Sequence, residues 1–374
     1  MRIWAEIDLR AAGANLRAVS RACEGRPVLA VVKADAYGHG AEHLARAFEG
    51  AGAARLGVAD LAEAAALQDA GITLTLQILG ALLAGEMREA VARGLVITVS
   101  SREQIDRVGA AAASLGTRAR VHLKLDTGMG RLGASPQEAP PLARRIARES
   151  ALEFEGLMTH LSSAASDEAF TREQIARFDR VLGALEREGL APSVVHAANS
   201  SGAAFYPEAR YTMIRPGLAL YGAVEDERER EAYDLTPVME LKTLLVFAKD
   251  VPAGASIGYD RTCVTEHSTR IGILSCGYAD GVPRALSNRG EVLIRGRRAP
   301  LVGRVSMDYA AVDLGGIPEA AVGEQVVLVG AQGDERIRVE EVARLAGRIP
   351  YEISCGLGRR VSRIYRGEPK EDPT

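Results

Sequence analysis

The chain has 374 residues, 47% apolar, 25% charged and 5% aromatic, with a formal net charge of −3. That length suits a large barrel with a smaller second unit, or two domains, and is ample for a buried core. The balance excludes a disordered or collagen-like chain. It gives no basic excess to recruit nucleic acid or an anionic membrane.

Cysteines stand at 23, 263, 276 and 355 without a CxxC pair, which argues against a disulfide framework or zinc site and fits a reducing compartment. Glu6 and Asp8 stand where a signal peptide would be apolar. The apolar stretch 71–85 is shorter than the roughly 20 residues a membrane span needs. The expectation is a cytoplasmic protein. Only five of the 46 cations are lysines, at 33, 124, 242, 249 and 370. A lysine kept inside an apolar run offers what a guanidinium cannot, an amine able to lose its proton and attack carbon.

Taken in chain order, segment 3–8 is strand-like and is a candidate member of the second domain. From residue 28 to about 220, apolar runs alternate with amphipathic stretches: 27–34, 55–60, 73–80, 95–100, 118–126, 153–160, 193–199 and 211–217. Helical stretches between them close on Gly71 and Gly189. Eight such units predict a (β/α)8 barrel over 9–230, with a doubly wound open sheet as the alternative. EDERERE (225–231) reads as a linker or a solvated turn. Beyond it, strands separated by Gly-rich turns predict a mainly antiparallel β domain over 231–367, with helical pattern returning at 339–347. Residues 368–374 read as a disordered tail.

Polar residues ending the barrel strands are Lys33, Asp60, Lys124 with Asp126, His160, Asn199 and Arg215. In such a barrel, that rim carries the chemistry. Lys33, beside Val31 and Val32, is either a desolvated nucleophilic amine or a lysine reaching to water at a strand end. Tyr37 offers a hydroxyl to a phosphate. His122, Lys124 and Asp126 alternate with Val121, Leu123 and Leu125 and share one strand face; an ordinary Lys124–Asp126 pair is one reading. Arg215 would otherwise be a rim arginine in an ion pair, and Asn199-Ser200 a helix N-cap.

The motif VVKADAYGHG resembles the pyridoxal-phosphate segment of alanine racemases. The resemblance continues through HLKLDTGMGRLG, GLMTHLSSA, HAANSSG, MIRPGLALYG, GYADG, VGRVSMD and YEISCGLGRRVSRIY, in the family's order. It implies a pyridoxal-phosphate barrel followed by a β domain, interconverting L- and D-alanine for peptidoglycan synthesis. By resemblance, Lys33 carries the cofactor and is one base, and Tyr259 is the other, approaching opposite faces of the substrate Cα. His160 and Arg215 extend a hydrogen-bonded chain from that tyrosine, and Arg215 faces the pyridine nitrogen. Without the resemblance, Tyr259 reads as a turn aromatic.

The implied phosphate cup is Tyr37, Asn199-Ser200, the backbone N–H groups of Gly217 and Leu218, and Tyr351. Arg131 contacts the phenolic oxygen and the substrate carboxylate, oriented by a carbamylated Lys124. Met307 meets that carboxylate and Tyr278 narrows the entry, where Met307 would otherwise be a core strand residue. Tyr259, Tyr278 and Met307 would reach the site of a second copy, in a head-to-tail homodimer. Cys263 and Ser362 depart from the family's frequent aromatic and proline. The competing readings are a racemase of serine, lysine or arginine, a non-catalytic pyridoxal-phosphate barrel, and a metal-dependent hydrolase using Lys124, His160 and His196. The preferred reading takes a small amino acid as substrate and needs no metal, nucleic acid or membrane.

Overall fold

In the computed structural model, which describes residues 1–367, the first strand, β1 (Ile3–Asp8), stands apart from the barrel that follows it. Asp8 then caps the next helix, its carboxylate accepting from the N–H groups of Arg10 and Ala11. The predicted apolar runs form β2 (Leu29–Val31), β3 (Arg55–Val58), β4 (Leu76–Ile78), β5 (Val96–Val99), β6 (Ala119–Lys124), β7 (Leu152–Met158) and β8 (Val194–His196). All seven pair in parallel, in sequence order.

That order excludes the open doubly wound sheet, whose strand order reverses at a switch point. The eighth run is not a regular strand. Its segment 212–216 is nonetheless hydrogen-bonded on both sides: Leu29 N–H to Ile214 O at 2.9 Å, Val31 N–H to Pro216 O at 3.2 Å, and Arg215 N–H to Ala198 O at 2.9 Å. Pro216 has no N–H and restricts the residue before it, which accounts for the irregular ladder. The result is seven regular strands with an extended eighth segment between β8 and β2. Helices pack outside, and Phe48 and Phe178 are fully buried between the layers.

The predicted linker folds instead as the helix Glu227–Tyr233. Its Glu229 is fully buried and accepts the Ser201 hydroxyl at 2.8 Å. Burial pushes that carboxyl up to about 7. The alternation of Glu and Arg hid the inward-facing Glu229, which is buried together with Tyr233 on this helix.

The second unit is mainly antiparallel. Its spine, β9 (Met239–Val251), runs beside β1. It continues with β10 (Ser256–Ile257) and β11 (Cys263–Val264), which form a short hairpin around Tyr259, and with β12 (Thr269–Leu274). There follow β13 (Glu291–Ile294), β14 (Arg297–Pro300), β15 (Ala310–Asp313), β16 (Gln325–Gln332), β17 (Glu335–Ile337) and β18 (Ser362–Arg366). The main path runs β14-β13-β16-β9-β1-β18. The N-terminal strand therefore lies inside this sheet, antiparallel to β9 and parallel to β18. Ser362 pairs with Trp4 there, and Cys263 pairs with Ile257 in the hairpin. The tail 368–374 lies outside the described residues.

Candidate active site

The barrel mouth holds a cavity of about 450 Å³ lined by Lys33, Tyr37, Lys124, Arg131, His160, Asn199, Ser200, Arg215, Gly217 and Tyr351. Nine of the expected residues thus converge from segments spread over the whole first unit, plus Tyr351 from near the C-terminus. Asp60 does not join them; it caps the helix Leu61–Asp69 by accepting from Glu63 N–H at 3.0 Å.

Lys33 follows β2 and opens an unusual turn. Ala34, Asp35, Ala36 and Tyr37 all have φ between 52° and 55°. Four successive non-glycine residues in the left-handed region are costly, at about 1–2 kcal/mol each. Side chains hold the turn in place. Glu63 accepts Ala34 N–H at 2.7 Å with one oxygen and Ala59 N–H at 2.8 Å with the other. Asp35 accepts Ala41 N–H. Buried His39 places Nδ1 at 3.0 Å from Ala36 O and 2.9 Å from Tyr37 O, so Nδ1 carries the proton. The turn puts the Lys33 amine and the Tyr37 hydroxyl into one cavity.

Burial, with Arg131 and Arg215 nearby, lowers the Lys33 pKa. Lys124, also buried, falls from its ordinary 10.5 to about 8 through burial and the same two guanidiniums. The ordinary Lys124–Asp126 pair does not form: Asp126 accepts instead from Gly128 and Gly130 N–H.

The cup is built around Ser200 Oγ, which accepts the N–H groups of Gly217 and Ala219 at 3.2 Å. Leu218, expected as a second donor through its backbone N–H, has its side chain in a neighbouring cavity. Asn199 is the N-cap of the helix Ser200–Phe205, accepting from Gly202 N–H at 2.9 Å. A Cβ on Gly217 would lie 2.3 Å from Tyr37 Oη, so only glycine lets this backbone face the cup. Tyr37 and Tyr351 pack with ring centroids 5.5 Å apart. Burial pushes both phenols far above their ordinary value and keeps them as donors.

Arg215 is buried and is not a rim ion-pair residue. Nη1 donates to His196 Nδ1 at 2.8 Å; Nη2 donates to Thr159 O at 2.8 Å and His160 Nδ1 at 3.0 Å. Among the described residues Nε–H meets no acceptor, which leaves it for a group in the cavity. This donor, the anion cup and the neutralisable Lys33 amine fit the ring nitrogen, phosphate and aldehyde of the expected cofactor.

Three expected residues lie elsewhere. Tyr259 is 70% exposed, Tyr278 45% and Met307 54%, and none lines this chain's cavity. Met307 sits in a turn, not a core strand. Tyr278 N–H donates to Ser306 O and Ala279 N–H to Met307 O, tying the two turns together. A Cβ on Gly277 would lie 2.3 Å from Met307 O, so glycine permits that contact.

Sequence reasoning missed Glu63, Met129, Met158 and Glu225; all but Glu63 line the cavity. Asp60 and Glu63 match the capping-box spacing, a signal that would have drawn attention to Glu63. Among the described residues no three His, Cys, Asp or Glu gather to hold a metal ion, and no helix is long and apolar enough to cross a membrane.

Fold and site define a two-unit barrel enzyme with a desolvated lysine and an anion cup at its mouth. The chain matches the descriptions "Alanine racemase, N-terminal domain" over residues 7–225 and "Alanine racemase, C-terminal domain" over 238–365. It is 43% identical over 366 residues to the alanine racemase of Symbiobacterium thermophilum, covering 98% of this chain and 97% of that one. It is 39% identical to that of Halothermothrix orenii, with the same coverage. The solved alanine racemase of Streptomyces lavendulae superimposes with a TM-score of 0.94 at 38% identity, covering 98% of this chain and 97% of that one. That of Bartonella henselae, described with covalently bound pyridoxal phosphate, gives 0.88 at 29% identity, covering 98% and 100%. The chain belongs to the alanine racemase family.

Proposed function

We propose that the protein interconverts L-alanine and D-alanine with pyridoxal phosphate as cofactor. The observation that carries this reading is the meeting, in one cavity, of the Lys33 amine, the Ser200–Gly217–Tyr37 cup and the unclaimed Nε–H of Arg215. When bound, the cofactor supplies delocalisation for a carbanion at the substrate Cα.

The chain's own groups do the rest. Lys33 would hold the cofactor and would supply the base on one face of Cα. Tyr37, Ser200, the Gly217 and Leu218 N–H groups and Tyr351 hold the phosphate, with Asn199 fixing the start of the Ser200 helix. Arg215 would offer Nε–H to the pyridine nitrogen, and its guanidinium keeps its own proton near neutrality. Arg131 takes the phenolic oxygen and the substrate carboxylate.

Inversion needs a second group on the opposite face. Tyr259 is exposed and away from its own cavity, which supports a head-to-tail homodimer in which Tyr259, Tyr278 and Met307 of the partner subunit complete each site. His160 accepts from Arg215 on Nδ1, so its Nε2–H is available to the incoming phenol oxygen. Lys124, neutral above about 8, is suited to add to CO2 with loss of one proton, giving a carbamate that orients Arg131.

The test is a racemisation assay on the cofactor-loaded protein with alanine, serine, lysine and arginine. Alanine is expected to be the preferred substrate. No inversion of alanine, or faster inversion of another amino acid, would overturn the assignment. Borohydride reduction followed by peptide mapping is expected to fix the cofactor on Lys33.

A further inference from the structure

Below the cavity, the barrel interior contains polar side chains that the mechanism above does not use. Glu155 on β7 receives both arms of Arg55: Nη1 to Oε2 at 2.6 Å and Nη2 to Oε1 at 2.8 Å. Arg120 Nη1 stands 3.8 Å from the same carboxylate. His122 Nε2 lies 2.9 Å from Glu155 Oε2, and His122 Nδ1 lies 2.8 Å from His196 Nε2. His196 Nδ1 in turn faces Arg215 Nη1 at 2.8 Å. Both imidazoles are fully buried.

The chemistry of these groups fixes every proton. A carboxylate only accepts, so His122 carries its proton on Nε2. A guanidinium only donates, so His196 Nδ1 is an acceptor and its proton is on Nε2. That proton then points at His122 Nδ1, which is free to accept. Gln77 Nε2 also stands 3.0 Å from His122 Nδ1 and shares that one lone pair, and its own Oε1 has no partner among the described residues. The bonds run in one direction, from guanidinium through two neutral imidazoles to a carboxylate. Burial holds both imidazoles below their ordinary value, consistent with neutrality.

This direction matters because Arg215 is a buried cation with only neutral acceptors around it: two imidazole nitrogens and the carbonyls of Thr159, His196 and Ala197. A buried charge without a counter-ion is unfavourable. We propose that Glu155 is the remote counter-ion of Arg215, acting through His122 and His196, and that this relay fixes the plane and charge of the guanidinium so that Nε–H stays aimed at the cofactor ring. Glu155, His122 and His196 are positioning residues, since they touch neither substrate nor cofactor. The functional half of the inference rests on the reading of Arg215 given above.

Two measurements on the full-length, cofactor-loaded protein test it. Neutron diffraction from the perdeuterated protein should show a deuteron on Nε2 of both His122 and His196 and none on Nδ1. A deuteron on His196 Nδ1 would overturn the relay whatever the enzyme does. The second compares Glu155→Gln with Arg55→Gln. The first removes the anion; the second removes the ion pair but leaves the carboxylate on His122. Glu155→Gln should lower kcat about 10–100-fold with KM for alanine little changed, and shift the absorption band of the bound cofactor. Arg55→Gln should leave that band in place. Equal spectra and equal kcat in the two variants would mean a merely structural ion pair and overturn the proposal. Should Glu155→Gln fail to fold, the neutron result still decides. A wild-type protein that folds but does not racemise alanine would instead sink the functional reading, while the proton positions remain measurable.

Discussion

Nη2 of Arg215 stands 3.0 Å from Nδ1 of His160, so this imidazole accepts on one nitrogen and keeps its proton on the other. Burial and the Arg215 charge hold His160 well below its ordinary pKa, so it stays neutral at working pH. A neutral Nε2–H donor, backed by a cation, stabilises an adjacent phenolate without surrendering its own proton.

Tyr259→Phe should therefore act on one direction of proton transfer. Loss of a positioned acid-base group costs typically about 10²–10⁴-fold. Exchange of the Cα hydrogen of L-alanine with solvent deuterium should fall by that order, while exchange from D-alanine falls far less. Equal loss for both enantiomers would contradict the assignment of two bases to two faces.

Lys124 links stability to pH. Its folded pKa, about 8, lies below the ordinary 10.5. Between those values the unfolded chain binds more protons, so stability rises with pH across that window; below about 8 the full penalty applies, on the order of 3 kcal/mol. In CO2-free buffer, urea midpoints of the cofactor-free protein should rise from about pH 8 to about pH 10 more steeply than those of Lys124→Met. Carbamylation would remove this difference, and intact-protein mass in bicarbonate should then show one added CO2.

His39 behaves similarly at acid pH. It is buried and lowered by burial from 6.5 to about 4, against two backbone hydrogen bonds that favour its proton. The unfolded chain takes up the proton first, so stability is lost as pH falls from about 6.5 towards about 4. His39→Phe should flatten that loss. It should also cost about 1–3 kcal/mol at neutral pH, because two carbonyls of the left-handed turn lose their donor. A calorimetric series of both proteins measures this; a steeper acid limb in the variant would refute it.

Gly217→Ala places a methyl within 2.3 Å of the Tyr37 hydroxyl, where one of them must move. The affinity for pyridoxal phosphate, followed by fluorescence titration, should fall about tenfold or more, since a bond to a charged group is worth roughly 1.5–3 kcal/mol. Ser200→Ala should fall less, because the Gly217 and Leu218 N–H groups remain.

Much of the barrel was legible because parallel strands buried on both faces read as continuous apolar runs, as 27–34 and 95–100 do. Segment 211–217 read like the rest, and Pro216 kept it from becoming a regular strand. Lys33 and Lys124 stood out against an arginine-rich chain. Asp60 looked equivalent to them, yet its spacing to Glu63 was that of a cap. The relay through Glu155, His122 and His196 stayed hidden because its members lie on three strands, β7, β6 and β8, and only the pairing of these strands brings their side chains together. The exposure of Tyr259 could not be read either, since a chain does not state which surfaces a neighbour covers.

The placement of β1 between β9 and β18 also constrains biosynthesis. Trp4 pairs on one side with Lys242 and on the other with Ser362. As translation proceeds, β1 emerges long before either neighbour, so it must wait unpaired while the barrel between them assembles. Sheet closure therefore follows the synthesis of both neighbours, and a chaperone that shields the waiting strand would bind at Ile3–Asp8.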